Sequence, residues 1–308
     1  MILTVTLNPA IDKRFVVDRL LPGEVIRVKS VQNSAGGKGL NVARAAAIMG
    51  EAVTATGFLG GHNGDFVEES LRQEGIRAAF TKIVGETRCC INVFDESTGK
   101  QTELLEPGVS IDAMSLHSLL DHYDALLPGC DTVVLSGSAP PCLPDDIYAT
   151  FIRKAHVSGA AIILDTSGTK LSAALAANPS LIKPNMEEMF ALTGVTDIAG
   201  LPAAAGTLLE RGAQRVVVSL GAKGALFVTR SGVWYASAPK LTPVNTTGCG
   251  DAMTAVFATA IHKDFSPPQL LRQAVAVASA SALHPDTGRF DPQVAQRLFE
   301  EIIVTAIS

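Results

Sequence analysis

Gly248, Cys249, Gly250 and Asp251 stand in a row at the head of a run of helix formers, inside Val244–Ala260 (VNTTGCGDAMTAVFATA). Two glycines around one small residue permit backbone angles that side chains forbid. Such a turn aims successive N–H groups into one concavity, an anion nest. The helix behind it adds its free first-turn N–H groups and the positive end of its dipole. A phosphoryl group fits such a place. Asp251 at its mouth would only repel a resting phosphate. It has a purpose if it takes a proton from a hydroxyl that attacks phosphorus. The plainer reading is an acid near a helix start after a glycine turn. Cys249 leaves two readings open. Its thiol lies among N–H groups that favour a reactive thiolate, or its sulfur turns inward as a small, inert hydrophobe.

A second glycine-rich run, Ser34–Ala43 (SAGGKGLNVA), carries Lys38 and Asn41 just after Gly37. It is not a Walker A loop, because Gly39 follows Lys38 where Ser or Thr belongs. It is not GxGxxG, because Val42 stands at the last glycine position. What remains is a backbone that lets a ligand approach, with Lys38 and Asn41 able to bond sugar hydroxyls, or simply a helix entry that needs glycines. Asp12 follows the Asn8-Pro9 turn, where open α/β sheets bind ligands; a solvated loop acid is the alternative. Glu188 lies one turn into a helix after Asn185. It suits an outer-shell partner of Mg²⁺ near bound phosphates, or an acid favoured by the helix dipole. The run from Ser219 through Gly221 to Gly224 is a nucleotide-covering loop or a pair of strand turns.

These groups need a scaffold that brings them together. The run Ile2–Leu7 predicts a buried strand. Short β-like pieces at Arg14–Val17 and Val25–Val31 then break the strand–helix rhythm, before a helix ending near Met49. A strand at Ala52–Gly57, a helix at Asp65–Glu74 and a strand at Ala78–Val84 follow. Cys89–Phe94 and Gln101–Leu105 predict a hairpin around Glu96–Gly99. Its opening residue, Arg88, and the earlier excursion suggest a lid over segments 12–33 and 87–106. Beyond Asp112 the rhythm is regular. Helices at Asp112–Leu127, Asp145–Val157, Lys170–Ala176 and Met186–Leu192 alternate with strands at Thr132–Leu135, Ala161–Leu164, Leu181–Lys183 and Arg215–Ser219. A hairpin at Ala225–Thr229 and Val233–Ala236 precedes helices at Pro267–Leu283 and Pro292–Ile307. Alternation of this kind means βαβ units and a mostly parallel sheet with ligands at the strands' C-terminal ends, where Ser136, Asp165 and Lys183-Pro184-Asn185 fall.

The 308 residues, 47% hydrophobic and 18% charged, make a folded α/β chain, read as a single domain over 1–308. A net charge of −5 argues against a nucleic-acid surface but not against a basic pocket for a small anion. Five cysteines without a CxxC pair fit reduced thiols in a cytoplasm. No HExxH occurs among the six histidines. The opening MILTVTLNPAID lacks the basic start of a signal peptide, and no apolar run is long enough to span a membrane.

The order NPAID, GGKGLNVA, ETR, SGS, KPNMEE, SLGAKG and NTTGCGD resembles the PfkB (ribokinase-like) sugar kinases over essentially the whole chain. Within them it is similar to the branch acting on phosphorylated ketohexoses, the tagatose-6-phosphate kinases and 1-phosphofructokinases. MILTVTLNPAID, AGGKGLNV, GETRCC and TELLEPG lean towards the former. The resemblance implies a three-layer fold with helices on both faces of the sheet and a small β lid, often a dimer clasp. It implies ATP and Mg²⁺ as cofactors and a sugar phosphate as the other small-molecule partner. By resemblance Asp251 is the general base and Gly248, Cys249 and Gly250 form the anion hole. Asp12, Gly37, Lys38, Asn41 and Ser138 match sugar-binding positions, and Arg27 and Arg88 match those holding the substrate's own phosphate. Lys183, Asn185, Ser219, Gly221 and Gly224 fall where the family binds ATP, and Glu188 with Asp165 at its Mg²⁺ shell. The chain departs from the family at Cys249, usually Ala, at Thr247, often Val, and at His284–Gly288. A sugar-phosphate sensor without catalysis and a nucleotide-dependent oxidoreductase are the competing classes. Asp251 with both nest glycines argues against the first, the missing GxGxxG against the second.

Overall fold

A computed structural model describes residues 1–263 and 265–307. The chain opens with β1 (Ile2–Thr6), β2 (Ala10–Val17), β3 (Ser30–Gly36) and α1 (Lys38–Ile48). Next come β4 (Val53–Leu59), α2 (Gly61–Gln73), β5 (Arg77–Ala78), β6 (Thr81–Lys82), β7 (Arg88–Asp95) and β8 (Lys100–Leu105). The regular part holds α3 (Ala113–Leu126), β9 (Thr132–Ser136), α4 (Ile147–Ser158), β10 (Ala161–Asp165), α5 (Gly168–Ala174), β11 (Leu181–Ile182), α6 (Met186–Thr193), α7 (Leu201–Glu210) and β12 (Arg215–Ser219). It ends with β13 (Ala225–Thr229), β14 (Gly232–Ala236), α8 (Cys249–Ala260), α9 (Pro267–Ala282), α10 (Pro292–Glu301) and β15 (Val304–Ile307).

Strands β4, β1, β9, β10, β11 and β12 lie side by side and parallel. β13, β14 and β15 extend that sheet antiparallel. Residues alternate between its faces. Leu3, Val5, Val133, Leu135, Ile162 and Leu164 pack under α3, α4, α5 and α7, whereas Val134, Ile163 and Val217 meet α1, α8 and α9 on the other face. The result is three layers, helix on sheet on helix. The chain steps from β1 to β4 on one side and later to β9 on the other, so a topological switch point opens between the C-terminal ends of β1 and β9.

A second sheet, ordered β3-β2-β7-β8, stands apart from the first. β2 is antiparallel to β3 but parallel to β7. Four elements differ from the sequence reading, one being the strand expected at Ala78–Val84, which is two short pairings with β4, namely β5 and β6. The strand expected at Val25–Val31 runs instead from Ser30 to Gly36, because pairing Ala10 with Gly36 defines it, while Val25 is 97% exposed. α10 stops at Glu301, and the β-branched end of the chain pairs with β14 as β15 instead of remaining helical. Helix α7 fills a stretch left unassigned, although Pro202 in its first turn and buried Leu201, Ala205, Leu208 and Leu209 form a legible helical stripe.

Candidate active site

A cavity of about 670 Å³ opens at the C-terminal ends of the parallel strands. Thr6 at the end of β1 and Asn8 beyond it, Gly137 and Ser138 beyond β9, Lys183 and Asn185 beyond β11, and Ser219 at the end of β12 line one side. The starts of α1 and α8 line the other. Gly248 caps α8 with φ 85°, the left-handed region. A Cβ there would come within 2.7 Å of the Thr287 methyl and 3.0 Å of the Gly288 amide nitrogen. The nest is thus folded against the 284–288 segment. Asn245, buried, arranges both pieces. Its Oδ1 accepts from the Thr247 amide at 3.0 Å, and its Nδ2 donates to the Pro285 carbonyl at 3.1 Å and to Thr287 Oγ1 at 3.2 Å. Of the first N–H groups of α8, that of Cys249 donates to the Thr246 carbonyl at 3.5 Å and that of Ala252 to the Gly248 carbonyl at 2.9 Å, which leaves those of Gly250 and Asp251, two residues that line the cavity.

Asp251 sits in the first turn of α8 and is 5% exposed. Asn41 Nδ2 donates to its Oδ2 at 2.8 Å. Burial and then the neighbouring Asp165 push its pKa up to about 6, against Lys38, the Asn41 hydrogen bond and Lys183. Asp165, at the end of β10, is buried deeper. Lys38 Nζ lies 3.3 Å from its Oδ1 and Lys183 Nζ 3.1 Å from its Oδ2. Thr254 Oγ1 donates to the same Oδ2 at 3.3 Å. The two ammonium groups hold the Asp165 carboxyl below its ordinary pKa despite burial. Asp165, with Asp251 and Glu188 behind it, pushes Lys38 up, so Lys38 stays charged at the cavity floor.

The far end of the cavity is walled by the small sheet through Asp12, Lys13, Arg14, Gln32, Arg88 and Asn92, among others. Asp12 on β2 lies flat against Gly36 of β3, where any Cβ would fall 2.2 Å from its carboxyl carbon. Burial pushes Asp12 up to about 6, opposed by Arg44 and Arg88. The Arg88 guanidinium donates from Nε and Nη2 to the Asn8 carbonyl at 3.2 and 3.0 Å and from Nη1 to the Glu106 carbonyl at 2.8 Å. It is pinned across the junction of the two sheets and still faces the cavity. One buried carboxylate over an anion nest, two cations below it and a polar wall opposite suit transfer of a charged group to a hydroxyl.

The sequence pattern of the pfkB family carbohydrate kinases matches residues 5–293. The chain belongs to the pfkB family. It is a phosphotransferase with a hydroxyl acceptor. It is similar to 1-phosphofructokinase of Xanthomonas campestris pv. campestris, 39% identical over 312 residues covering 99% of this chain and 98% of that one. It is also similar to tagatose-6-phosphate kinase of Staphylococcus epidermidis, 36% identical over the full length of both. Phosphofructokinase-2 from Escherichia coli, solved in complex with substrates and products, superposes with a TM-score of 0.91 at 31% identity, covering 97% of this chain and 98% of that one.

Within this pfkB chain the cavity gathers Asp12, Gly37, Lys38, Asn41, Arg88, Ser138, Lys183, Asn185, Glu188, Ser219, Gly248, Gly250 and Asp251. Arg27 is not among them. It is exposed in the segment between β2 and β3, away from the cavity wall. Gly221 and Gly224 flank a turn beyond Ser219 and do not line the cavity, and Gly224 is pressed against the Ala236 carbonyl, which a Cβ would meet at 1.9 Å. Asp165 does not line the cavity; it lies below the floor with one lysine on each carboxylate oxygen. Sequence reading missed Asn245 and Arg44, buried polar groups that each have a partner far away in the chain, Pro285 and Glu74.

Cys249 resolves towards its inward reading. Its sulfur packs against the helical core, 3.9 Å from the Asn245 carbonyl oxygen, and burial pushes the thiol up to about 11. Iodoacetamide is therefore expected to label exposed Cys142 well before Cys249, and ATP is expected not to change the Cys249 rate. Mass-spectrometric mapping checks this; labelling of Cys249 ahead of Cys142 would reverse it.

Proposed function

We propose that this chain transfers the γ-phosphoryl group of ATP to the free primary hydroxyl of a ketohexose phosphate, giving a ketohexose bisphosphate. The observation that carries the reading is Asp251, buried yet cavity-facing, bonded to Asn41 and seated in the first turn of α8 above the Gly248–Gly250 nest. Asp251 accepts the proton of the attacking hydroxyl. The nest and the helix N-terminus stabilise charge on the transferring group. Lys38 and Lys183, held by Asp165, add positive charge on the floor. Asp12, Lys38, Asn41 and Ser138 orient the sugar, and Arg88, with Lys13 and Arg14 nearby, faces its phosphate. ATP lies over Lys183, Asn185 and Ser219. The small sheet closes over the sugar and excludes water, which would compete as acceptor.

Among the described residues no cluster of three or more His, Cys, Asp or Glu side chains forms a metal site. Mg²⁺ fits all the same, because it keeps several waters and needs only one or two carboxylates beside phosphate oxygens. Glu188 is the residue to hold it. Its Oε2 accepts from the Asn185 amide at 2.8 Å, which leaves Oε1. The ion, when bound, neutralises phosphate charge.

Tagatose 6-phosphate is the acceptor we favour. Fructose 1-phosphate is the second reading, which the 39% identity to a 1-phosphofructokinase supports. Turnover of both, with fructose 6-phosphate alongside, is expected to give ADP formation with one or more of them, and one acceptor is expected to stand at least about tenfold above the others in kcat/KM, a gap of ~1.4 kcal/mol in transition-state binding. No ADP above the sugar-free blank with any of the three would leave a sensor in place of a kinase. We further propose a homodimer through the small sheet, supported by exposed Val25, Val28, Val31, Leu104 and Leu105 on and beside it.

A further inference from the structure

Arg44 sits in the middle of α1, is 4% exposed, borders the cavity, and has so far entered only as a charge acting on Asp12. A buried guanidinium without partners would be untenable. Its Nη1 donates to Asn41 Oδ1 at 2.9 Å, its Nη2 to the Ala35 carbonyl at 2.5 Å, and its Nε to Glu74 Oε2 at 2.7 Å. Glu74, at the end of α2, also takes a hydrogen bond from Arg289 at 2.8 Å. Asn41, one turn before Arg44, bonds Asp251 through its other amide atom. A continuous chain thus runs from Arg289 through Glu74, Arg44 and Asn41 to Asp251.

The chemistry of the links fixes a direction. A carboxamide has one accepting and one donating end and is nearly symmetric in shape. Arginine has donors only, so it tolerates Oδ1 and never the amide nitrogen. With Oδ1 held by Arg44, Nδ2 is left for Asp251. Without that hold the amide can turn over and set an oxygen against the carboxylate. Gly288 backs onto Asn41, where a Cβ would stand 2.9 Å from its Cα, so the side chain has little freedom except that rotation.

We propose that Arg44 is a positioning residue for phosphoryl transfer: by locking the Asn41 amide it aims the Asp251 carboxylate at the acceptor hydroxyl. The inference rests on Asp251 being the base. Its test is a double-mutant cycle of Arg44→Gln with Asn41→Ala, read as kcat and both KM values. Arg44→Gln alone is expected to lower kcat about 10–100-fold with the ATP KM within about threefold, and in the Asn41→Ala background to change kcat less than about threefold, because the coupled partner is gone. Arg44→Lys, which keeps a donor, is expected to recover part of the loss, and it carries the same cycle if Arg44→Gln does not fold. Equal losses in both backgrounds would mean a purely structural arginine and overturn the proposal. A rise in the sugar-phosphate KM that persists without Asn41 would place its action on Asp12 and overturn it too. Asp251→Asn assayed alongside separates the two layers: an active mutant removes the base and this inference together, whereas an inactive one beside an additive cycle removes only the inference.

Discussion

Asp251→Asn is expected to lower kcat by about 10²–10⁴-fold, the range for losing a general base, and at neutral pH to raise the melting temperature. The two effects have one origin. The carboxylate is buried beside Asp165, and its folded pKa is pushed up to about 6 from 3.8. A group with a raised folded pKa favours the fold fully only below its unfolded pKa, and that contribution is lost as pH rises through the folded value. Above about pH 6 the wild type therefore carries a buried anion at a cost to stability. Asparagine keeps the shape without the charge. The same titration gives the wild type an acid limb, with kcat falling as pH drops through about 6, and any residual activity of the mutant should lack it. A mutant within about threefold of wild type lies far below the expected range and would take Asp251 out of the mechanism.

Asp165→Ala is expected to be among the most destabilising single changes at the site, by about 3–5 kcal/mol, because removing one partner of a buried pair strands the other. Lys183 is 5% exposed and would be left buried without its counter-charge, while Lys38 and Thr254 each lose a bond. Activity should fall with stability, since both floor lysines lose their anchor. The pH dependence has the opposite sign to that of Asp251. The lysines hold Asp165 below its ordinary pKa, so its contribution is present above the unfolded carboxylate value and lost as pH falls through the folded one. The gap between wild type and mutant should therefore narrow in acid. Asp165→Leu combined with Lys183→Met, which replaces both charges with apolar groups, should lose less stability than Asp165→Ala yet remain inactive. Urea midpoints for the three proteins test this; an Asp165→Ala within about 1 kcal/mol of wild type would show that solvent or a shift of Lys183 relieves the stranded charge.

Most of the scaffold is legible in the sequence because local pattern specifies it. β-branched runs ending in Ser136, Asp165 and Lys183 alternate with helical stripes, and right-handed crossovers leave little choice of sheet. What pattern misses is pairing decided elsewhere. β3 is a strand only because β2 lies beside it, and β15 because β14 has an open edge. The site divides along the same line. Asp251, Lys38 and Asn41 are conspicuous because glycines surround them. Arg44 goes unmarked in an alanine-rich helix, since its partners Glu74 and Ala35 are brought to it only by the fold. Asp165 falls at the Mg²⁺ shell by family resemblance alone. Only the arrival of Lys38, 127 residues away in sequence, and Lys183 shows that it is an anchor for cations.

The bond between Asn41 and Asp251 joins residues 210 apart in the chain. On the ribosome this ordering has a consequence. The sheet from β4 to β12, the small sheet and both floor lysines are all made before the nest and the base emerge. A chain stopped before α8 lacks Asp251, the carboxylate proposed to activate the hydroxyl. Nor does it have the dipole of α8 to draw charge onto the transferring group. The order of synthesis thus completes the site late, when α8 reaches the rest of the fold.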